Sequence, residues 1–183
     1  MKNCTFVLML LLASSTAWSS DQKFVVTVQS AGKHISNAQV VLWQARPGKP
    51  PKQLTQSQTT EAGHVQFESL PAPDSGFYYL TSSGGDIDGV DVARFAGLAV
   101  LGGGLKGPVT INELSTIGSL WPLASQFSDG QGISGLANGL LLGSQHVQNL
   151  VDVSKGTFGA TVLDGSNLTF SETVARMNTL AAL

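Results

Sequence analysis

Hydrophobic and polar positions follow two different rhythms along this chain. In the first part the period is two. Phe24, Val26 and Val28 interleave with Val25, Thr27 and Gln29, which predicts a half-buried strand. Asn37 closes a turn before a second strand, Ala38 to Trp43, and Lys52 to Thr59 reads as a polar edge strand. Glu61-Ala62-Gly63 turns into His64-Val65-Gln66-Phe67, with Val65 and Phe67 inward, and Phe77 to Thr81 forms a last strand after Pro71, Pro73 and Gly76. Arg46 to Pro51, with prolines at 47, 50 and 51, predicts a loop. Strand candidates separated by turn signals indicate a small antiparallel sandwich of the transthyretin-like or immunoglobulin-like kind.

In the last part the rhythm turns helical. Thr110-Ile111-Asn112-Glu113 fits a capping box, and Leu114, Ile117, Trp121 and Ala124 recur at helical spacing behind it. Pro122 must kink or split that helix. A second helix is expected from Ser134, with Leu136, Leu140, Val147 and Leu150 along one stripe. Ser171 caps a third, with Val174, Met177 and Leu180 inward.

Composition changes where the rhythm does. Residues 20–83 hold four glycines and residues 84–183 the other seventeen, and eight of the twelve acidic residues lie in the second part. The fold class expected is therefore α+β. The β-sandwich occupies 20–83, a Gly-rich connector 84–109, and a small Gly-rich helical module 110–183.

The first nineteen residues stand apart. MKN, an apolar run from Cys4 to Ala13, and a small-residue stretch ending in Ala17-Trp18-Ser19 have the layout of a secretory signal peptide. The apolar run is shorter than the roughly 20 residues that span a bilayer. Cleavage is expected after Ser19, with Ser20 the runner-up, and no lipobox precedes Cys4. Cleavage removes the single cysteine, so thiol catalysis and cysteine metal sites drop out. It leaves nine basic against twelve acidic residues, a balance that argues against nucleic acid as partner.

Two stretches resemble known families. N-A-Q-V-V-L at 37–42, E-A-G-H-V-Q-F at 61–67, S-L-P at 69–71 and Y-Y-L at 78–80 resemble the carboxypeptidase regulatory-like domain. That resemblance implies a transthyretin-like sandwich serving as a non-catalytic spacer, stalk or recognition module. A related surface-repeat family crosslinks itself through a Lys–Asn isopeptide bond. Lys23 is suitably placed, but Phe77 to Ser83 offers neither the Asn nor the acid, so no such bond is expected. V-T-I-N-E-L-S-T-I at 109–117, W-P-L-A at 121–124, N-L-V-D-V-S-K-G at 149–156 and N-T-L-A at 178–181 resemble a conserved tail of exported bacterial proteins without assigned function. In that family the closing helix usually runs further, which would make the present chain truncated or a fragment.

Several motifs carry chemistry on paper. Gly102 to Gly107 satisfies G-x-G-x-x-G, but Pro108 and β-branched Val109-Thr110 follow where a helix should open, so no dinucleotide cofactor is expected. Asp86, Asp88 and Asp91 gather carboxylates beside Gly89 and are the weak candidates for calcium. The spacing is not that of an EF-hand, and a solvated acidic turn is the competing reading. Gly135, Gly139 and Gly143 stand four apart. Such a row serves close helix packing or, as the alternative, a membrane-inserting glycine zipper interrupted by Asn138, Ser144 and Gln145. His34, His64 and His146 have no metal-site spacing, and neither Ser134 nor Ser144 sits in a nucleophile elbow. Asn167-Leu168-Thr169 matches a glycosylation acceptor and reads more simply as a polar turn.

The expectation is an exported, non-enzymatic binding or envelope-structural protein without cofactor or metal. Its partner would be an unknown protein or surface polymer, with no nucleic acid and no stable membrane span. Trp43, Tyr79 and Trp121 are the candidate contact aromatics, core packing being the competing role. A membrane-active protein and a secreted hydrolase using paired carboxylates are the rival classes.

Overall fold

The computed structural model describes residues 23–104, 107–128, 132–168 and 172–182. The expected leader, the expected Ser171 cap and Thr169 lie outside the described residues. Strands β1 (Lys23–Ser30), β2 (Lys33–His34), β3 (Gln39–Arg46), β4 (Lys49–Gln58), β5 (His64–Glu68) and β6 (Phe77–Ser83) come first. A short β7–β8 hairpin (Asp86–Ile87, Val90–Asp91), β9 (Ala96–Gly102) and β10 (Val109–Ile111) follow. Helix α1 (Glu113–Leu123) runs into a 3-10 turn at Ala124–Gln126 and the β11–β12 hairpin (Phe127–Ser128, Gly132–Ile133). Then come α2 (Ala137–Leu150), the β13–β14 hairpin (Val151–Asp152, Thr157–Phe158), α3 (Ala160–Leu163), α4 (Gly165–Leu168) and α5 (Thr173–Ala181). The chain is thus mixed α+β, with several antiparallel sheets and a few helices.

One sheet has the order β4-β3-β6-β9, antiparallel throughout. In the other, β1 is the hub, pairing antiparallel with β5 and β2 and parallel with β10. The period of two works as the sequence predicts. Phe24, Val26 and Val28 are buried together with Val65, Phe67, Val40, Leu42, Tyr78, Leu80, Ala99, Val109 and Ile111 in one cluster drawn from both sheets. The opposite face of the four-stranded sheet carries Ala45, Phe77, Tyr79, Leu98 and Val100. These pack with Leu123, Leu140, Val147 and Met177 from the helices.

Three expectations are corrected. The Arg46–Pro51 loop shrinks to a tight turn at Pro47-Gly48, and Pro50 and Pro51 sit in β4. An edge strand tolerates them because one of two neighbouring amides faces outward with no ladder partner to lose, and the pair falls in the register shift between Gln44 and Arg46. The 84–109 stretch is no mere connector. Its β9 completes one sheet and its β10 joins the other, so material beyond Ser83 is built into both cores. Thr110 is not the helix cap, because it pairs within β10. The cap is Asn112, whose side chain accepts from Ser115 N while Ser115 Oγ accepts from Asn112 N.

Helix α1 docks side-on to β9, the edge of its sheet. Leu98 N donates to Thr116 Oγ1 (3.0 Å) and Val100 N donates to Ser119 Oγ (3.0 Å). Ser115 Oγ lies 3.3 Å from Leu98 O. Edge amides that would otherwise face apolar surroundings are satisfied this way. So close an approach demands small residues, and the helix buries Ser115, Gly118, Ser119 and Leu123. A Cβ on Gly118 would come within 2.3 Å of Val151 Cγ1. Pro122 falls in the last turn and does not split the helix. In α2, which begins at Ala137 and not at Ser134, the inward residues are Leu140, Gly143, Ser144 and Val147. Leu136, expected inward, is 78% exposed. Its neighbour Gly135 is still held in a backbone bridge to Pro47, with Gly48 N donating to Gly135 O at 2.8 Å. In α5 Met177 is buried as predicted, whereas Leu180 is exposed.

Glu113 ties the start of α1 to the end of β1. Its carboxylate accepts from Ser30 Oγ and Ala31 N, both at 2.7 Å. That bond holds a turn in which Ala31 (φ 48) and Gly32 (φ 75) are both left-handed.

The α1–β9 seam makes measurable demands on stability. Ser119→Ala leaves the Val100 amide buried without a partner and is expected to cost about 1–3 kcal/mol. Gly118→Ala, which adds atoms where none fit, is expected to cost a similar amount, about 1–3 kcal/mol. Thermal melts would read each as a drop of several degrees, and an unshifted melt for Ser119→Ala would refute the edge-capping role. Ser82 provides the contrast. Its hydroxyl is buried with no hydrogen-bond partner among the described residues, and Gly97 leaves it room. Ser82→Ala is therefore expected to be neutral or stabilising in the same melt.

Candidate functional site

Because α1 turns Ser115, Gly118 and Ser119 toward the sheet and buries Leu123 at its end, Leu120 and Trp121 face outward. Leu120 is 44% and Trp121 41% exposed. Trp121 stands between two open depressions. One, of about 650 Å³, is bounded by Trp121 and by Glu172, Ala175, Arg176, Thr179 and Leu180 of the α5 region. The other, of about 360 Å³, is bounded by Trp121, Pro122, His146, Asn149, Leu150 and Thr173. The indole is thus a shared wall with polar side chains on either side. Arg176 and Glu172 form an exposed ion pair one helical turn apart, which orders the rim and adds little stability.

The other two candidate aromatics serve the core. Trp43 stacks on Tyr79 with ring centroids 6.2 Å apart and planes 10° off parallel, and its Nε1 donates to Thr81 Oγ1 at 3.0 Å. Tyr79 is fully buried, and its hydroxyl accepts from Ile133 N at 3.3 Å. Burial pushes its phenol up to about 12. Burial, aided by the nearby Asp74, also raises Tyr78.

The three aspartates beside Gly89 are dispersed among other duties. Asp86 and Asp91 face each other across the β7–β8 hairpin. Asp86 Oδ2 accepts from Asn37 Nδ2 at 3.0 Å, and Asp88 Oδ2 lies 2.6 Å from Lys33 Nζ. Asp88 (φ 52) and Gly89 (φ 80) form the turn itself. Among the described residues no three His, Cys, Asp or Glu side chains gather as a metal-binding group. Carboxylates with altered acidity sit in their own turns. Asp152 is held below the usual range by the Ser154 hydroxyl and then Lys155, and Asp164 by Ser166. Lys23 pairs with Glu68 at 3.5 Å on the surface.

His34 and His64, far apart in sequence, meet edge to face with centroids 5.4 Å apart. His146 lies elsewhere, on the smaller depression beside Trp121. The glycine row turns inward: a Cβ on Gly135 or Gly139 would meet the Gln126 side chain, and one on Gly143 would meet Leu123. No helix among the described residues is long and apolar enough to cross a membrane. At the G-x-G-x-x-G stretch, Gly102 ends β9 and β10 follows Pro108, so no helix opens on it. Leu105 and Lys106 lie outside the described residues. Sequence reasoning found Trp121 but missed Glu172, Arg176 and His146. Only the packing of α5 and α2 beside α1 brings them there, and no spacing signals it.

No family model matches the chain, and no curated protein does. Among solved structures, the 9R-lipoxygenase from Cyanothece PCC8801 is similar at 19% identity and a TM-score of 0.35. The match covers 48% of this chain and 16% of that one. A likeness at that level carries no argument.

The tyrosines supply a pH test. A phenol whose folded pKa is raised favours the folded state until the unfolded chain begins to ionise, so its stabilising effect is full below about pH 10. Stability is then lost as pH rises through the folded value of about 12. Denaturant midpoints are expected to fall across that window, and less steeply in Tyr79→Phe. Equal slopes in the two proteins would contradict the burial argument.

Proposed function

We propose that this chain is an exported, non-enzymatic binding or envelope-structural protein whose contact surface is the helical face around Trp121. The observation that carries this reading is the indole itself. A large aromatic side chain, 41% exposed, is flanked by two depressions with polar rims. Tryptophan and arginine are enriched among the interface residues that carry most binding energy, and Arg176 lines the depression beside this indole. The export reading rests on the three-part layout of the first nineteen residues. The β-rich first half, with inward residues of two sheets in a shared cluster, supports a sandwich of the transthyretin-like type acting as a spacer or recognition module. Its partner is a protein or a surface polymer.

The aspartate cluster, divided between Asn37 and Lys33, gives no reason to add calcium to this function. The glycines of α2 are engaged with Gln126 and Leu123, which favours their packing role over insertion into a bilayer.

Two measurements test the proposal. Expressed with its leader, the protein is expected outside the cytoplasm with a mature N-terminus at Ser20 or Asp21; folded cytosolic protein that keeps Met1 would refute export. Crosslinking on intact cells, or binding to isolated envelope, is expected to fall on the order of ten-fold or more in Trp121→Ala. The melting temperature should change little, since the indole is half in solvent. Undiminished binding by that variant would place the contact surface elsewhere.

A further inference from the structure

A sheet can grow at its edges, because an outermost strand leaves a row of N–H and C=O groups unpaired. In the four-stranded sheet the β9 edge is closed by Thr116 and Ser119 of α1. The other edge is β4, which is exposed along most of its length. Its first half is blunted against pairing. Pro50 and Pro51 have no N–H to give, Lys49 and Lys52 bring charge, and a register shift leaves Leu54 as a bulge opposite Leu42 and Trp43. None of these devices reaches Thr55–Gln58, which pairs in regular register with Gln39–Leu42 and carries only uncharged polar side chains.

Two features of that segment point to a second copy of the same chain. Gln56 Oε1 accepts from Gln39 Nε2 at 3.4 Å and from Gln53 Nε2 at 2.9 Å. A row of amides therefore begins across the sheet, and the donor end of Gln56 has no described partner. An amide both donates and accepts, so an identical residue can continue the row. The charges at the two ends of the segment are also complementary. Lys49 and Lys52 precede it, Glu61 follows it, and none of the three is in an ion pair with another described residue. In an antiparallel pairing the lysine end of one strand meets the Glu61 turn of the other.

We propose that the Thr55–Gln58 segment pairs antiparallel with the same segment of a second copy, with Gln56 facing Gln56 on the two-fold axis and Thr55 facing Ser57. The isologous contact joins two four-stranded sheets into one. A pairing this short belongs to the weak, concentration-dependent end of interfaces. It is independent of the Trp121 surface.

Sedimentation velocity on the purified protein over rising concentration tests this. Monomers are expected to convert to dimers. Gln56→Lys sets like charges across the pairing centre and is expected to weaken dimers on the order of ten-fold without moving the melting curve, since the residue is exposed. Lys52→Glu is expected to weaken them about two- to five-fold, and adding Glu61→Lys to restore them. A protein that stays monomeric throughout would overturn the proposal. So would dimers that Gln56→Lys leaves intact, or that vanish in Trp121→Ala instead.

Discussion

The seam between α1 and the edge strand β9 is the constraint on which the rest of the structure depends. Two of its hydroxyls, those of Thr116 and Ser115, have two duties that do not compete. Thr116 Oγ1 donates back to Asn112 O at 2.6 Å within its own helix, and its lone pairs remain free to accept from Leu98 N. Ser115 closes the helix cap and reaches Leu98 O with the same oxygen. A continuous polar network thus runs from the helix start to the sheet edge, and a fully satisfied network fixes a unique arrangement. The same helix start is tied to two further turns. Glu113 holds the β1–β2 turn, and Asn112 Nδ2 donates to Gly156 O of the β13–β14 hairpin at 2.8 Å.

This seam inverts the usual logic of an amphipathic helix. Helices commonly bury a wide apolar stripe, and the spacing of Leu114, Ile117 and Trp121 suggests one here. A helix that hydrogen-bonds a strand edge must come closer than leucine-sized side chains permit. Its inward face along β9 is therefore Ser115, Gly118 and Ser119, with Leu123 buried only in the last turn and Ile117 packing only partly against the core. The bulk is displaced to the far side, and the exposure of Trp121 follows from the docking mode.

What was legible in the sequence divides along the same line. Strands bounded by turn residues announce themselves, and β1, β3, β4, β5 and β6 all appear close to where period two, polarity and Gly/Pro punctuation predicted them. β9 was invisible because Gly97 to Val100 are buried without a break. A strand covered on both sides has no alternation, and its glycines read as a linker. β10 is three residues long and pairs in parallel with a strand some eighty positions earlier. Its Thr110 imitated a cap one element too soon. In the candidate site only Trp121 could be singled out, because residues become neighbours there through helix packing and not through spacing.

The exposed surface and the core are connected through α5. Met177 is the one residue of that helix buried among the described positions, and it packs into the same cluster as Leu123 of α1. A helix held by so little buried surface opens at a free energy well below that of the whole molecule. Glu172, Arg176 and Leu180, which bound the larger depression, sit on that helix or at its cap. A ligand bridging Trp121 and α5 would bind only while the helix is docked. Its binding energy would go first into closing α5, so the surface that makes contact is also the part of the fold with most stability to gain from contact.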